Sequence, residues 1–191
     1  TPGIDAKDRT STFYYDANNR MTLELDALGY ATRYVYDAVG NVRQRRQYAT
    51  RLTGYTAGKK PVPLTNAKDR ITTAYFDANS RVTLSVDALG YATAYVYDAV
   101  GNLTRQKQFS TKLGRYTLGT KPAPATSAND RTTSFYYDAN NRQTLSVNTL
   151  GYATAYVYDA VGNLTQETQH AVALGRPLNL ALKPAPTSSA E

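Results

Sequence analysis

The sequence has 191 residues, a net charge of +7, 17 tyrosines, one histidine and no cysteine. The missing thiols exclude disulfide staples and thiolate metal sites, and no apolar run approaches the ~20 residues that span a bilayer. Modest aliphatic content with abundant Tyr and Thr suits a half-buried sheet better than a deep globular interior.

The chain opens in mid-pattern. Pro2–Lys7 share the phase of Pro63–Lys68, so residues 1–7 read as the end of an inter-unit segment. Three units follow, 8–68, 69–129 and 130–191, the last with a Pro-containing tail. Their marker is LGYATAYVYDAVGNLT, which occupies Leu89–Thr104 and Leu150–Thr165 letter for letter and has a close copy at Leu28–Val42. Tyr36-Asp37, Tyr97-Asp98 and Tyr158-Asp159 stand 61 residues apart, and a second series, Tyr15-Asp16, Phe76-Asp77 and Tyr137-Asp138, lies 21 residues upstream. A fixed period of this length signals stacked units that cover one another's apolar faces.

Within each unit a shorter beat marks turns. Asp16, Asp26 and Asp37 are 10 and 11 residues apart, and each opens a segment with Asn19, Gly29 or Gly40 at its fourth position. An Asp side chain accepts bonds from the N–H groups ahead of it, and Gly or Asn takes positive φ. The pattern predicts type I turns closed by a bulge. The same reading applies to Asp77, to Asp87 with Gly90, to Asp98 with Gly101, to Asp138 with Asn141, to Gly151, and to Asp159 with Gly162. Asn41, Asn102 and Asn163 follow as further turn residues, while Ser80 is a poorer occupant of its slot.

Between the turns the residues alternate. Met21, Leu23 and Leu25 share one predicted face; so do Thr93, Tyr95 and Tyr97. Period two over five or six residues means strands, and no stretch sustains helical spacing. Tyr15, Tyr34, Tyr36, Tyr95, Tyr97, Tyr137, Tyr156 and Tyr158 are expected to form aromatic rows across successive strands. Gln47–Gly58, Gln108–Gly119 and Gln169–Leu180 are less regular, and Gly54, Gly114 and Gly175 suggest a weak third hairpin. Each unit then reaches a Lys-Pro-x-Pro stretch at Lys60, Lys121 or Lys183. Proline cannot donate to a ladder, so this reads as a crossover or edge-blocking segment.

The pattern Tyr-x-Tyr-Asp-Ala-x-Gly-Asn-Leu at a 21-residue step resembles the YD repeats of RHS proteins. That family includes bacterial polymorphic toxins, wall-associated proteins, insecticidal toxin complex components and teneurins. Tyr36, Asp37, Gly40 and Asn41, with their equivalents in the other units, fall on its most recognisable positions. The resemblance implies β-hairpins that wind into a continuous spiralling sheet.

The basic excess sits early: ten Lys and Arg against five Asp and Glu in 8–68, but four against five in 130–191. A nucleic-acid groove would need the cluster in every repeat, so no nucleic-acid partner is expected. His170 has no His or Cys companion to build a catalytic device. Calcium wants six to eight oxygens, more than Asp-Ala-Val-Gly-Asn offers, and the isolated glycines cradle no phosphate. No catalytic residue, metal or cofactor is assigned.

The fold expected is all-β: a repetitive β-hairpin array forming a β-solenoid or spiralling sheet of three 61-residue units. The function expected is that of a non-enzymatic structural segment of an extracellular bacterial fibre or filament. Its partners would be further identical repeats, by self-association or chain continuation. Two alternatives stand beside it: a cell-surface adhesin that binds surface glycans or other cells, and a fragment of a toxin-encapsulating RHS shell.

Overall fold

The computed structural model describes residues 9–56, 58–174 and 183–185. The described residues form an all-β structure of twelve strands with no helix. The chain divides into two compact units. The first, Thr1–Gly90 with Gly114–Pro122, holds β1 (Thr12–Tyr15), β2 (Met21–Leu25), β3 (Ala31–Tyr36), β4 (Val42–Gln47), β5 (Arg70–Phe76) and β6 (Val82–Val86). The second, Tyr91–Leu113 with Ala123–Glu191, holds β7 (Ala92–Tyr97), β8 (Leu103–Gln108), β9 (Arg131–Tyr137), β10 (Gln143–Val147), β11 (Ala153–Tyr158) and β12 (Leu164–Gln169). In each unit the strands pair antiparallel in chain order, hairpin after hairpin.

Alternation along the strands gives each unit one apolar face. Leu23 and Leu25 on β2, Leu84 and Val86 on β6, and Leu145 and Val147 on β10 are fully buried. Alanines at the starts of β3 and β11, Ala31 and Ala153, are buried beside them, small enough to admit covering chain. A single sheet cannot shield such a face, so something must lie on it.

The cover comes from the less regular segments. After β4, Tyr48 N–H donates to the Ala31 carbonyl and Leu52 N–H to the Gly29 carbonyl, each at 2.9 Å. Tyr48 is buried against Leu23 and Leu25, and Leu52 packs on the same cluster. The chain then crosses the apolar face until Lys60 reaches the Thr22 hydroxyl. In the first unit Gly114–Pro122 does the same over β5 and β6: Tyr75 Oη donates to the Thr117 carbonyl at 3.1 Å and Lys121 Nζ to Thr83 at 2.8 Å. In the second unit Leu174 N–H donates to the Gly151 carbonyl and Lys183 Nζ to Thr144 at 2.8 Å.

These segments are straps, and the third hairpin expected from Gly54 and Gly114 does not form. Gly54 and Gly58 turn the first strap at φ 70° and 82°. The prolines of the Lys-Pro-x-Pro stretch lack the donors that a strand pair would need. The corresponding Gly175 lies outside the described residues, as do residues 1–7.

A second departure concerns Met21. The pairing shifts by one residue between Tyr14 and Tyr15, with Tyr14 opposite Leu23 and Tyr15 opposite Met21. The extra residue, Thr22, forms a bulge, and residues beyond it change face. Met21 therefore lies opposite the face that carries Leu23 and Leu25.

Candidate functional site: the turn rows and the open aromatic face

Within each unit the turns fall into two rows. The first contains the turns that begin at Asp16, Asp37, Asp77, Asp98, Asp138 and Asp159. Asp16 shows the local chemistry. Asn19 N–H donates to the Asp16 carbonyl at 3.0 Å, and Asp16 N–H donates to the Arg20 carbonyl at 2.9 Å. Asp16 Oδ1 accepts from the N–H groups of Asn18 and Arg20, both at 3.0 Å. Asn19, Ser80 and Asn141 hold φ of 58°, 60° and 60°, and Gly40, Gly101 and Gly162 hold 100°, 103° and 98°. Ser80 thus adopts the left-handed conformation without the side-chain advantage of Asn.

What joins neighbouring turns is carried by the residue after the left-handed position. Arg20 Nε donates to Asp16 Oδ2 at 2.9 Å, its Nη1 donates to the Asp37 carbonyl at 3.2 Å, and its guanidinium lies 4.7 Å from the Tyr36 ring centroid. Arg142 repeats this with Asp138 at 2.8 Å, the Asp159 carbonyl at 3.1 Å and the Tyr158 ring at 4.9 Å. Arg81 binds Asp77 at 2.8 Å. In the other turns Asn replaces Arg: Asn41 Nδ2 donates to Asp37 at 2.9 Å and to Ser80 Oγ at 3.1 Å. Asn102 Nδ2 likewise reaches Asp98 at 3.0 Å and Asn141 at 2.9 Å. Asn163 Nδ2 closes on Asp159 at 2.8 Å.

These bonds hold the carboxyls below the ordinary carboxylate value of 3.8. For Asp16 the Arg20 side chain is the leading cause; for Asp77 and Asp138 it is the backbone N–H of Arg81 and Arg142. For Asp37 and Asp98 desolvation is the largest influence and pushes upward, but the bonds from Asn41 and Asn102 and from nearby N–H groups outweigh it. For Asp159 the Asn163 side chain leads. The oxygens of these carboxylates are spent inside their own turns, and among the described residues no three His, Cys, Asp or Glu side chains gather as a metal site would require.

The second row begins at Asp26, Asp87 and Asn148. Asp26 Oδ1 accepts from Leu28 and Tyr30 N–H at 2.9 and 2.8 Å, and Asn148 Oδ1 from Leu150 and Tyr152 at 2.9 and 3.1 Å. Asp87 accepts from Leu89 N–H at 2.9 Å, ahead of Gly90 at φ 91°. Gly29 and Gly151 pass directly under the straps.

Two residue sets were absent from the sequence reading. The first is the bulge threonines, six residues after the first-row Asp in five of six turns: Thr22, Thr83, Thr104, Thr144 and Thr165. Each hydroxyl donates to a carbonyl of the paired strand, at 3.1–3.3 Å. Thr22, Thr83 and Thr144 also accept the strap lysines. Arg43 fills the sixth place and donates to the Leu118 carbonyl of the next strap. The second set is Asp69 and Asp130, which tie down the strap ends. Asp130 is buried. It accepts from Ser110 N–H and Ser127 N–H, both at 2.9 Å, and pairs with Lys107 at 3.0 Å. Those backbone bonds first, and Lys107 after them, hold its carboxyl far below the usual range. Asp69 accepts from Ala49 and Asn66 N–H at 2.9 and 3.0 Å, with Arg46 at 4.0 Å. The Asp-Arg pairs at 69–70 and 130–131 were the available signal.

The opposite sheet face carries the tyrosine rows. Tyr36 Oη donates to the Met21 carbonyl at 2.7 Å, Tyr137 to Leu103 at 2.9 Å and Tyr158 to Gln143 at 2.9 Å. Tyr34 Oη reaches Glu24 at 3.2 Å. The register sets Tyr15 opposite Met21, Tyr36 opposite Val42, Tyr97 opposite Leu103 and Tyr158 opposite Leu164. Tyr34, Tyr95, Tyr156 and Tyr137 face Arg45, Gln106, Glu167 and Gln143. No tyrosine of the rows thus stands directly across from another; aliphatic and polar side chains separate them, and Arg20 and Arg142 lie on two of the rings. The face is half-open: Tyr15 is 55% exposed, while Tyr34, Tyr36, Tyr95, Tyr97, Tyr137, Tyr156 and Tyr158 are half-buried.

Comparison with known proteins matches the RHS Repeat family model at residues 76–110 and 137–171. No curated protein matches the chain. The crystal structure of TcdB2–TccC3 without its hypervariable C-terminal region aligns with a TM-score of 0.55 at 14% identity, over 84% of this chain and 8% of that one. A Tc holotoxin pore from Photorhabdus luminescens aligns with a TM-score of 0.43 at 16% identity, over 88% of this chain and 9% of that one. The chain therefore spans less than a tenth of the length of these structures.

Proposed function

We propose that this chain, a member of the RHS-repeat family, is a structural wall segment of an extracellular bacterial fibre or filament and performs no reaction of its own. The observation that carries this reading is how the polar side chains are used. The turn aspartates, their Arg and Asn partners and the bulge threonines bind the sheet to itself, hairpin to hairpin. The straps that end at Lys60 and Lys121 are each fastened by that Lys and by an Asp, Asp69 or Asp130. A wall needs these properties: local closure of every unit, and a repeat that propagates.

A second reading is favoured by the fold shared with TcdB2–TccC3. The same wall would then belong to a closed shell, with the half-open tyrosine face turned to one side. Immunogold labelling of intact producing cells with an antibody against this chain, followed by imaging of the labelled material, separates the readings. The fibre reading expects label along extracellular strands. Label on closed particles supports the shell. Label confined to the cytoplasm overturns both. An adhesin would instead show saturable binding of the chain to glycan-bearing cells, lost when Tyr15 and Tyr152 are changed to Ser.

A further inference from the structure

In the second unit the open face carries a groove along β9 whose lining the wall does not use. Across β8 and β9, Gln106 pairs with Thr133 and Gln108 with Arg131. Gln106 also stands opposite Tyr95, which places these side chains on the tyrosine face. With Asn129 and the turn at Asn148 they enclose a cleft of about 900 Å³. Two residues beyond Thr133 on the same face of β9, Phe135 lines a second cleft of about 380 Å³, together with Tyr137 and Asn102.

The walls of this groove are fixed while its lining is unspent. Thr149 Oγ1 donates to the Thr132 carbonyl at 2.9 Å and accepts from the Thr132 N–H, which clamps the rim turn to β9. The Asn148 carbonyl oxygen Oδ1 is taken by its own turn, and Asp130 by Ser110, Ser127 and Lys107. By contrast, the side chains of Gln106, Gln108, Asn129 and Arg131 bond to no other described residue. Gln108, Asn129 and Arg131 are exposed. Three amides and a guanidinium thus converge on one rigid cleft with their hydrogen-bonding capacity open, as a polar ligand site requires. In the first unit Ile71, Ala88 and Ala74 hold the phases of Thr132, Thr149 and Phe135, so the clamp and the ring are both missing there.

We propose that this groove binds a uronate-bearing glycan, with Arg131 on a sugar carboxylate, the Gln106, Gln108 and Asn129 amides on hydroxyls, and Phe135 against the apolar face of a sugar ring. The site lies on a sheet face and stands whether the wall belongs to a fibre or a shell. Among the described residues Arg131 is the one cation that lines the groove, and a guanidinium fork matches carboxylate geometry. Asp98 and Asp138 lie at the far end, so the anionic group belongs beside Arg131 and the ring beside Phe135. Each amide both donates and accepts, and so meets a hydroxyl in either sense. A nucleic acid would need several cations along the groove. An extended peptide would need an open strand edge, and β8, β9 and β10 are each paired on both sides.

The test is an NMR titration of the isotope-labelled 191-residue chain with hexasaccharides of hyaluronan and of polygalacturonate. Chitohexaose serves as the neutral control and a thymidylate hexamer as the polyanion control. The expected result is saturable shifts of the Gln106, Gln108 and Asn129 side-chain amides with at least one uronate hexasaccharide, and weaker binding of both controls. Arg131→Gln should weaken uronate binding about tenfold and leave the Tm unchanged, because that side chain bonds nothing within the protein. Phe135→Ala, which matches Ala74 of the first unit, should weaken it about three- to tenfold. Arg70→Gln, in the same phase of the first unit, should leave it unaltered. The absence of saturable shifts with either uronate hexasaccharide overturns the proposal. So does binding that Arg131→Gln leaves intact or that Arg70→Gln weakens equally. Thymidylate bound as tightly as the uronates overturns the glycan assignment as well.

Discussion

Gly29 and Gly40 both hold positive φ, at 88° and 100°, but only Gly29 is also pressed by another segment: a Cβ there would lie 2.8 Å from the Leu52 carbonyl oxygen. At Gly40 a Cβ meets nothing within 4 Å. Gly40→Ala should therefore cost about 1–2 kcal/mol, the strain of a left-handed L-residue. Gly29→Ala must also displace a strap, and should cost clearly more in urea unfolding. Equal losses would show that the strap does not bear on the turn. The carboxylates make a second prediction at this scale. Their native pKa values lie below the ordinary 3.8, so in acid the unfolded chain binds more protons than the native one. Their stabilisation is complete above about pH 4 and drains away as pH falls through the native values. The Tm should fall steeply below pH 4, and Asp130→Asn should flatten that limb more than Asp16→Asn does. A Tm independent of pH between 2 and 5 would contradict the bonding described for both turns and straps.

Hairpins and straps divide the work of stability at the scale of elements. Leu84 is 1% exposed beneath the strap that ends at Lys121, whereas Val96 is 40% exposed. Leu84→Ala should lose about 2–5 kcal/mol and Val96→Ala less than about 1. Similar losses would mean that the strapped face is not the core. Thr83 couples the two kinds of element, because its hydroxyl donates to the Tyr75 carbonyl and accepts from Lys121. Thr83→Val keeps the shape and removes both bonds, and should lower stability by about 0.5–1.5 kcal/mol in thermal unfolding. The elements also show what sequence periodicity conveys. Turn spacing and two-residue alternation depend on local chemistry, so the strands and their hairpin turns were legible residue by residue. The bulge at Thr22 was not, because a one-residue slip leaves composition and spacing intact while moving Met21 to the other face. The straps were hidden for a different reason: covering an apolar face demands no period, only a few anchors such as Tyr48, Leu52 and Lys60. The third hairpin inferred from Gly54 and Gly114 followed from giving those glycines the meaning they have between strands.

Across the molecule the repeats are alike in turns and unlike in charge. Arg43, Arg45 and Arg46 on β4 become Thr104, Gln106 and Lys107 on β8, then Thr165, Glu167 and Thr168 on β12. Arg43 fastens the following strap through the Leu118 carbonyl, a bond that threonine in the same phase cannot span. Identical turns therefore supply the period, and the variable strand supplies junctions that differ along the array. Cryo-electron microscopy of the native protein that contains this chain tests the central claim most directly. Within each unit the account predicts antiparallel strands about 4.8 Å apart, following one another in chain order, with straps on one face and tyrosines on the other. Strands out of chain order, or a third hairpin in place of each strap, would contradict it.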